Sequence, residues 1–246
     1  MGFQMPSTLR HARADAGKNL MALTRQDLMG NTGDGPVTLT DYLRRIQDFG
    51  SRLHFQRNEL IFNQDDGADY FYRILSGTVR LCRYMPDGRR YIVDFNLPGD
   101  VIGLNESPDH PVSAEAVTDV IVVAYPRICF DRLAKECPGL RTQHLCHLSA
   151  NLLSAQQHLF VLGCQKAKER IASFLLRLAD RMDLGHGDRL DLPMGRQDIA
   201  DHLGLTIETI SRSITALRAE GAVLVPNTHQ LVLRDMSILR ALAAED

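Results

Sequence analysis

The sequence lacks the features that mark several common classes of protein. It has no apolar run long enough to span a membrane, and Met1–Arg10 has no apolar core like that of a signal peptide. Its formal net charge is only −2, and acidic and basic side chains nearly balance from Lys166 to the end. We therefore expect a soluble cytoplasmic protein, in which any phosphate-binding surface would have to be a local basic face.

Cysteine clusters are also missing. The five cysteines lie at positions 82, 129, 137, 146 and 164, and none of them has the C-x-x-C spacing of a zinc or iron–sulfur site. Scattered, reduced thiols are the simple interpretation for a reducing cytoplasm. No cysteine follows Cys164, so the C-terminal part of the chain carries no thiol switch of its own.

The chain of 246 residues is long enough for two ordinary domains. Residues 1–37 are polar and weakly patterned, which predicts a flexible tail. Thr40 is then predicted to cap a short helix that runs through Phe49 and stops at Gly50.

Residues 38–137 are predicted to form a β-roll. Gly77, Gly88 and Gly99 fall eleven residues apart between short β-rich runs, and Pro86-Asp87-Gly88 is a good hairpin turn. Many short strands at such spacing indicate a barrel or jelly roll. The runs include Leu60–Phe62, Tyr70–Leu75, Thr78–Arg83, Tyr91–Phe95 and Val117–Ala124.

A short helix, Pro126–Glu136, is predicted to lead into a long helix over residues 138–165. Apolar residues recur along the long helix at alternating intervals of three and four, which is the a/d pattern of a coiled-coil seam. The seam is formed by Leu145, Leu148, Leu152, Ala155, Leu159 and Leu162. A helix packed only on its own domain is the alternative, but the narrow seam and the polar Gln156, Gln157 and His158 favour a dimerisation helix.

Residues 166–246 are predicted to form a winged helix-turn-helix domain. After an amphipathic helix over Gln165–Met182 and a short strand near Arg189–Pro193, Gln197–Leu217 has the pattern of two helices. Gly204 fits the reversal between them and Thr206 is a suitable N-cap for the second helix. Ala222–Val225 and Gln230–Leu233 would be the strands of the wing.

The second of these two helices carries the candidate DNA-reading residues. Ile210, Ile214 and Leu217 would face the core. Another face of the helix, near its N-terminal end, would then be free to contact base edges in the major groove. The candidates for base reading are Ile207, Glu208, Ser211 and Arg212, and those for phosphate contacts are Arg196, Thr206, Ser213 and Arg218. The plain alternative is a pair of amphipathic core helices with a solvated Glu and Arg.

The order of roll, long helix and winged helix-turn-helix resembles the CRP/FNR family of bacterial transcription regulators, from about Thr38 to the end. Two signatures carry the resemblance: the reading-helix run LGLTIETISR, and the roll pattern Gly77-Thr78-Val79-Arg80, Asp87-Gly88-Arg89-Arg90 and Gly99-Asp100-Val101-Ile102-Gly103. The predicted fold class is therefore α+β. The four candidate base readers look like those that the FNR and FixK branch uses on TTGAT–ATCAA-type palindromes. The resemblance implies a homodimer that binds palindromic double-stranded DNA and contacts RNA polymerase through loops near Pro86–Arg90 and Ser107–Pro111.

No cofactor is expected. In the cyclic-nucleotide-binding branch a Glu holds the ribose and an Arg holds the phosphate, but this chain has Leu104 and Val112 there. A buried phosphate without its Arg loses its main charge partner, so tight binding of cyclic AMP is not predicted. The N-terminal cysteines that hold the FNR cluster are absent, since the first cysteine is Cys82. A haem ligand within the roll would have to be His54 or His110, and each is read as a surface or satisfied residue.

The chain thus most resembles the FixK group, which implies activation of genes for microaerobic respiration or nitrogen fixation. Gly195, at the predicted N-cap of the first reading-head helix, places no side chain near the DNA backbone, so family regulation through that residue is not expected. Two alternatives stay open. One is a regulator of the same fold gated by an unrecognised effector or by one of the five cysteines. The other is a cupin-like metal enzyme, which would need clustered ligands where the roll offers two isolated histidines, Glu106 and Glu115.

Overall fold

The computed structural model describes residues 38–47, 50–182 and 189–243, so the predicted tail at residues 1–37 lies outside the described part. Two compact units are present. The first runs up to Leu81 and includes Phe95–Leu152, and the second combines Cys82–Asp94 with the chain from Leu153 onward. The predicted fold class is confirmed: an N-terminal β-roll, a long helix and a C-terminal winged helix-turn-helix follow one another along the chain. The domain limits drawn from the sequence stay predictions.

The roll is built from two four-stranded sheets, ordered β1-β8-β3-β6 and β2-β7-β4-β5. Their strands are β1 (Ser51–Phe55), β2 (Leu60–Phe62), β3 (Tyr70–Ser76), β4 (Val79–Tyr84), β5 (Arg90–Asn96), β6 (Val101–Ile102), β7 (Ser113–Ala116) and β8 (Val120–Pro126). The run predicted over Val117–Ala124 starts later, at Val120. The reason is that Thr118 and Asp119 form a turn, in which their side chains accept hydrogen bonds from the backbone N–H groups of Thr78 and Arg57.

Strand alternation divides the buried side chains of the first unit into two clusters. Along β8, Val122 and Ala124 enter the cluster that includes Ile74 and Val79, whereas Val123 and Tyr125 lie in a second cluster. The second cluster also contains apolar side chains of three helices: α1 (Leu39–Arg45), α2 (Arg127–Glu136) and the start of α3 (Pro138–Cys164).

The short helix α1 differs from its prediction at both ends. The N-cap of α1 is Thr38, not Thr40, because the Thr38 hydroxyl accepts from the Asp41 N–H while the Asp41 carboxylate accepts from the Thr38 N–H. The Thr40 hydroxyl instead donates to the Gly99 carbonyl, and the helix ends at Arg45. The long helix α3 spans 27 residues and ends at Cys164, one residue before the predicted end. None of the helices in the described ranges is both long and apolar enough for a membrane span.

The second unit contains the winged helix-turn-helix. Its elements are α4 (Ala167–Arg181), β9 (Arg189–Asp191), α5 (Arg196–Leu203), α6 (Ile207–Ala219), β10 (Val223–Asn227), β11 (Gln230–Leu233) and α7 (Met236–Ala243). The strands form one antiparallel sheet in the order β10-β11-β9. The two-stranded wing expected from the sequence is therefore three-stranded, and α7, which was not expected, packs against α4.

Candidate nucleic-acid interface

The turn between α5 and α6 is fixed by local capping. Gly204 ends α5 in the left-handed conformation with φ of 62°, which costs a residue without a Cβ little. Thr206 then caps α6, because its hydroxyl oxygen accepts from the Thr209 N–H at 3.2 Å. From α4, the Arg170 guanidinium donates to the Leu203 carbonyl at 2.9 Å and so satisfies one of the free carbonyls at the end of α5.

The packing of α6 leaves the predicted base-reading face free. Ile210, Ile214 and Leu217 are buried, as their spacing predicts. The four candidate base readers, Ile207, Glu208, Ser211 and Arg212, are all exposed. Thr215 is exposed as well and lies one turn beyond Ser211. The Thr215 hydroxyl donates to the Ser211 carbonyl at 2.9 Å. The sequence reasoning missed Thr215, although its i+4 spacing from Ser211 places it on the same face.

Glu208 and Arg212 form the charged part of this face. Hydrogen bonds from the backbone N–H of Glu208 and from the Thr206 hydroxyl lower the pKa of the Glu208 carboxyl, and the positive charge of Arg212 lowers it further. The carboxylate is therefore ionised at neutral pH and acts only as an acceptor, whereas the guanidinium acts only as a donor. Acceptor and donor thus stand one helical turn apart on an exposed surface.

The phosphate candidates differ in their freedom to reach a ligand. Thr206 and Arg218 are exposed, whereas Ser213 and Arg196 are half-buried. Burial lowers the pKa of Arg196, and its Nη1 atom is buried with no hydrogen-bond partner in the described part of the chain. A buried guanidinium nitrogen without a partner is costly, and it would gain an acceptor if a phosphate approached the N-terminus of α5.

The dimer seam predicted on α3 is solvent-exposed over much of its length. Leu145, Leu152 and Leu159 are 56%, 61% and 68% exposed, which is far above what a helix packed on its own domain would leave open. Ala155 is exposed, and Leu148 and Leu162 are half-buried. The structure adds two exposed apolar side chains that the seam pattern did not include, Leu153 and Phe160, each directly after a seam residue.

The turn that follows Gly103 carries apolar and aromatic side chains. Leu104, which stands in place of the ribose-binding Glu, is buried in the second cluster of the first unit. The His110 ring stacks on Phe62 with their centroids 3.8 Å apart and lies next to Gly103. The Ser113 hydroxyl donates to Asn63 and accepts from the Gln64 N–H. Leu104 and Val112 do not fit a cyclic nucleotide, because an apolar side chain offers neither an acceptor for the ribose nor a cation for the phosphate.

One of the two loops expected to contact a partner protein is only partly available. In Pro86–Arg90, the Arg89 side chain is 77% exposed, but Arg90 is mostly buried in an ion pair with two carboxylates of α5. Arg90 is therefore not available to a partner protein in this loop, and the polymerase contact through the loop stays a prediction. In Ser107–Pro111, the ends of the loop are exposed, whereas His110 is buried.

The five cysteines differ in exposure. Cys82, Cys129 and Cys137 are buried, while Cys146 and Cys164 are exposed on α3. Within the described ranges no group of three or more His, Cys, Asp or Glu side chains could hold a metal ion. A thiol reagent would therefore reach Cys146 and Cys164 first.

Family models match both parts of the chain. The model described as "Cyclic nucleotide-binding domain" matches residues 52–137, and the "Crp-like helix-turn-helix domain" matches residues 169–242. Together they cover more than half of the chain, including most of the roll and the helix-turn-helix.

Individual proteins are similar over most of their length. The nitrogen fixation regulation protein FixK of Bradyrhizobium diazoefficiens is 42% identical over 205 residues, which are 82% of this chain and 86% of that protein. The transcriptional activatory protein AadR of Rhodopseudomonas palustris is 35% identical over 193 residues, 78% of this chain and 79% of that protein. The structure of FixK2 from Bradyrhizobium japonicum has a TM-score of 0.77 at 35% identity and covers 80% of this chain and 98% of that one.

Proposed function

This chain belongs to the CRP/FNR family of transcription regulators, and we propose that it is an activator that binds a two-fold symmetric DNA site as a homodimer. The helix-turn-helix and the FixK-type relatives make it a DNA-binding transcription regulator. We propose in addition that the DNA site is two-fold symmetric, that residues of α6 read its bases, and that binding requires no cyclic nucleotide.

The observation that carries the proposal is the exposed face of α6, on which Glu208, Ser211 and Arg212 lie together while Ile210 and Ile214 are buried. A carboxylate accepts a hydrogen bond from the amino group of cytosine, and a guanidinium donates two to guanine. In a TTGAT half-site the two side chains would read the single G·C pair in the major groove, with Arg212 on the guanine and Glu208 on the paired cytosine. Ile207 can make an apolar contact with a thymine methyl group, and Ser211 can bond a base or a phosphate.

Phosphate contacts would set the register of the helix on DNA. Thr206 and Arg218 flank the base-reading residues on α6, and Arg196 and Ser213 would complete the set. The Thr206 hydroxyl, which caps α6, donates its one proton to the Glu208 carboxylate in the free protein and would turn that proton toward a phosphate when DNA is bound.

Two copies of the chain would associate through the exposed apolar face of α3, with Leu152 and Leu159 at its centre and Leu153 and Phe160 beside them. Covering these side chains removes apolar surface from water, at roughly 25 cal/mol per Å². A dimer with a two-fold axis along this helix would place two α6 helices on half-sites about one helical turn of DNA apart. The palindrome proposed from the resemblance is TTGAT–ATCAA.

The protein would act without a cyclic nucleotide, since Leu104 and Val112 replace the residues that would hold its ribose and phosphate. We further propose that it works in the cytoplasm and activates genes of microaerobic respiration or nitrogen fixation, as the names of its FixK relatives suggest. RNA polymerase would be contacted through the exposed Arg89 and the exposed part of Ser107–Pro111.

Selection of bound duplexes from a random pool tests this function without assuming the target. The expected result is a motif with two inverted half-sites related to TTGAT. The full-length Glu208→Ala variant, carried through the same selection, should give a motif that has lost one conserved base pair in each half-site. A motif without inverted symmetry would contradict the homodimer, and an unchanged motif in the variant would contradict the placement of Glu208 on a base.

A further inference from the structure

The hairpin between β4 and β5 contacts the outer face of α5 within the second unit. Arg90 donates from Nε and Nη2 to the same Asp201 oxygen at 2.9 and 2.7 Å, and from Nη2 to Asp198 at 2.5 Å. The three side chains are 17%, 15% and 12% exposed. Both carboxylates belong to the first helix of the helix-turn-helix, three residues apart and thus on one face of it.

The remaining oxygens of the two carboxylates are also occupied. The second Asp198 oxygen accepts from the Gly195 N–H at the start of α5, and the second Asp201 oxygen accepts from the Gln197 side-chain amide. Burial by itself lowers the pKa of Arg90, but the hydrogen bond to Asp201 and the charges of Asp198 and Asp201 outweigh the effect of burial and raise that pKa. The guanidinium therefore stays charged, and it holds two carboxylates in a geometry that a point charge such as lysine does not reproduce.

A second contact lies two residues further along β5. The Ile92 carbonyl accepts from Nδ1 of His202, which stacks on His158 with centroids 4.2 Å apart. The His158 ring in turn lies 3.1 Å from the Tyr91 hydroxyl. Asp94, after two more residues, lies 3.6 Å from Arg181 of α4. Arg90 and Asp94 therefore contact helices of the second unit through their side chains, and Ile92 does so through its backbone carbonyl.

We propose that Arg90 is a positioning residue for the recognition helix: by clamping Asp198 and Asp201 it fixes α5, and through α5 it fixes α6. The inner face of α5, with Ile199 and Leu203, is buried, and the Leu205 N–H that begins the turn donates to the Ala200 carbonyl of α5. A shift of α5 therefore moves Glu208, Ser211 and Arg212 relative to the groove. The inference rests on the proposed DNA binding and adds a residue that contacts neither base nor phosphate.

Arg89 supplies a matched control. It is the neighbouring residue on the same hairpin and has the same charge, but its side chain is 77% exposed and forms an ion pair with Asp87 of the same turn. Arg89→Ala and Arg90→Ala therefore remove equal charge from the same hairpin, but only Arg90→Ala removes the cation that pairs with the two carboxylates of α5.

The test compares the wild type with Arg90→Ala, Arg90→Lys, Asp201→Asn and Arg89→Ala as full-length proteins. It measures dissociation constants for the palindrome and for a duplex with one extra base pair between the half-sites. We expect Arg90→Ala to weaken palindrome binding by about tenfold or more and to discriminate less between the two spacings. Arg89→Ala should match the wild type, because the assay contains only protein and duplex and the contact proposed for Arg89 is with RNA polymerase. Arg90→Lys should fall between, and Asp201→Asn combined with Arg90→Ala should lose less than the sum of the single losses.

Two outcomes would overturn the inference. Wild-type affinity and spacing preference in Arg90→Ala would show that the clamp does not position α6. A fall of about one in the salt slope for Arg90→Ala, with Asp201→Asn unaffected, would show that Arg90 contacts a phosphate directly. If Arg90→Ala does not fold, as judged by its thermal unfolding, Arg90→Lys and Asp201→Asn carry the same comparison.

Failure of the proposed function gives a different result. In that case the wild type itself would not prefer the palindrome over a scrambled duplex. Hydrogen exchange of the free proteins then decides the inference: faster exchange of the α5 and α6 amides in Arg90→Ala than in Arg89→Ala supports the clamp, and equal exchange overturns it.

Discussion

Nε2 of His202 lies 2.7 Å from a guanidinium nitrogen of Arg177, while Nδ1 of the same ring lies 2.9 Å from the Ile92 carbonyl oxygen. An arginine only donates hydrogen bonds and a carbonyl only accepts them, so His202 is neutral and carries its proton on Nδ1. Burial, together with the nearby His158 and Arg177, lowers the pKa of His202 to about 3. Protonation would break the bond from Arg177 and place a second cation beside it.

We expect the protein to lose stability on acidification through His202. In the unfolded chain a histidine titrates near pH 6.5, above its folded pKa, so the unfolded state takes up the proton first. The contribution of neutral His202 is complete above about pH 6.5 and is lost as the pH falls toward 3, by about 1.4 kcal/mol per pH unit. Denaturant unfolding at about pH 7.5 and about pH 5.5 should show a smaller pH dependence for His202→Phe than for the wild type. The exposed His54 serves as control, and equal dependence in His202→Phe and His54→Phe would contradict the assignment.

Glu208→Ala should relax specificity at one base pair of each half-site. The variant removes the acceptor for a cytosine amino group and should cost roughly 1–3 kcal/mol on the best site, while binding to a site mutated at that pair changes little. Competition binding with single-base variants of the palindrome measures this. Glu220→Ala, at the opposite end of α6, is the matched control and should keep the wild-type profile.

Arg218→Ala should weaken binding to all sequences about equally. Loss of one phosphate contact lowers the slope of log K against log salt by about one and leaves the ranking of sequences unchanged. The slope is obtained from titrations at several salt concentrations, with Arg240→Ala, an exposed arginine of α7, as the control. A change in sequence ranking for Arg218→Ala would place that side chain on a base instead.

Replacing both Leu152 and Leu159 by Asp should give a monomer. Four carboxylates would then meet across the seam of a dimer, where their burial and mutual repulsion are unfavourable. Sedimentation equilibrium measures the mass, and DNA titration should show the loss of tight binding. Gln157→Asp is the control, because Gln157 is exposed on the same helix away from the seam. A monomeric wild type would contradict the predicted seam directly.

Helices and caps were predictable where the residues that determine them lie within a few positions of one another. The boundaries of α3, the left-handed Gly204, the Thr206 cap and the buried Ile210, Ile214 and Leu217 all follow from spacing and capping within a few residues. Strands with weak patterns were not predictable. β7 reads Ser-Ala-Glu-Ala, and β6 has two residues, so neither shows the alternation of a long apolar strand.

Contacts between distant parts of the chain left no readable pattern in one sequence. Arg90 lies 111 positions before Asp201, and both looked like ordinary surface charges in their own segments. The same holds for Ile92 and His202, which are 110 positions apart. The exposed Leu153 and Phe160 were missed for another reason: a seven-residue seam pattern selects the a and d positions and passes over apolar neighbours at b.

Fluorescence anisotropy of the purified full-length protein, without added ligand, tests specific binding to the palindrome most directly. It compares a TTGAT–ATCAA duplex with a scrambled duplex of the same composition. The reading-helix geometry, together with Leu104 and Val112 in the roll, predicts tight binding that is specific to the palindrome and is not improved by cyclic AMP. Equal affinity for both duplexes, with or without the nucleotide, would contradict it.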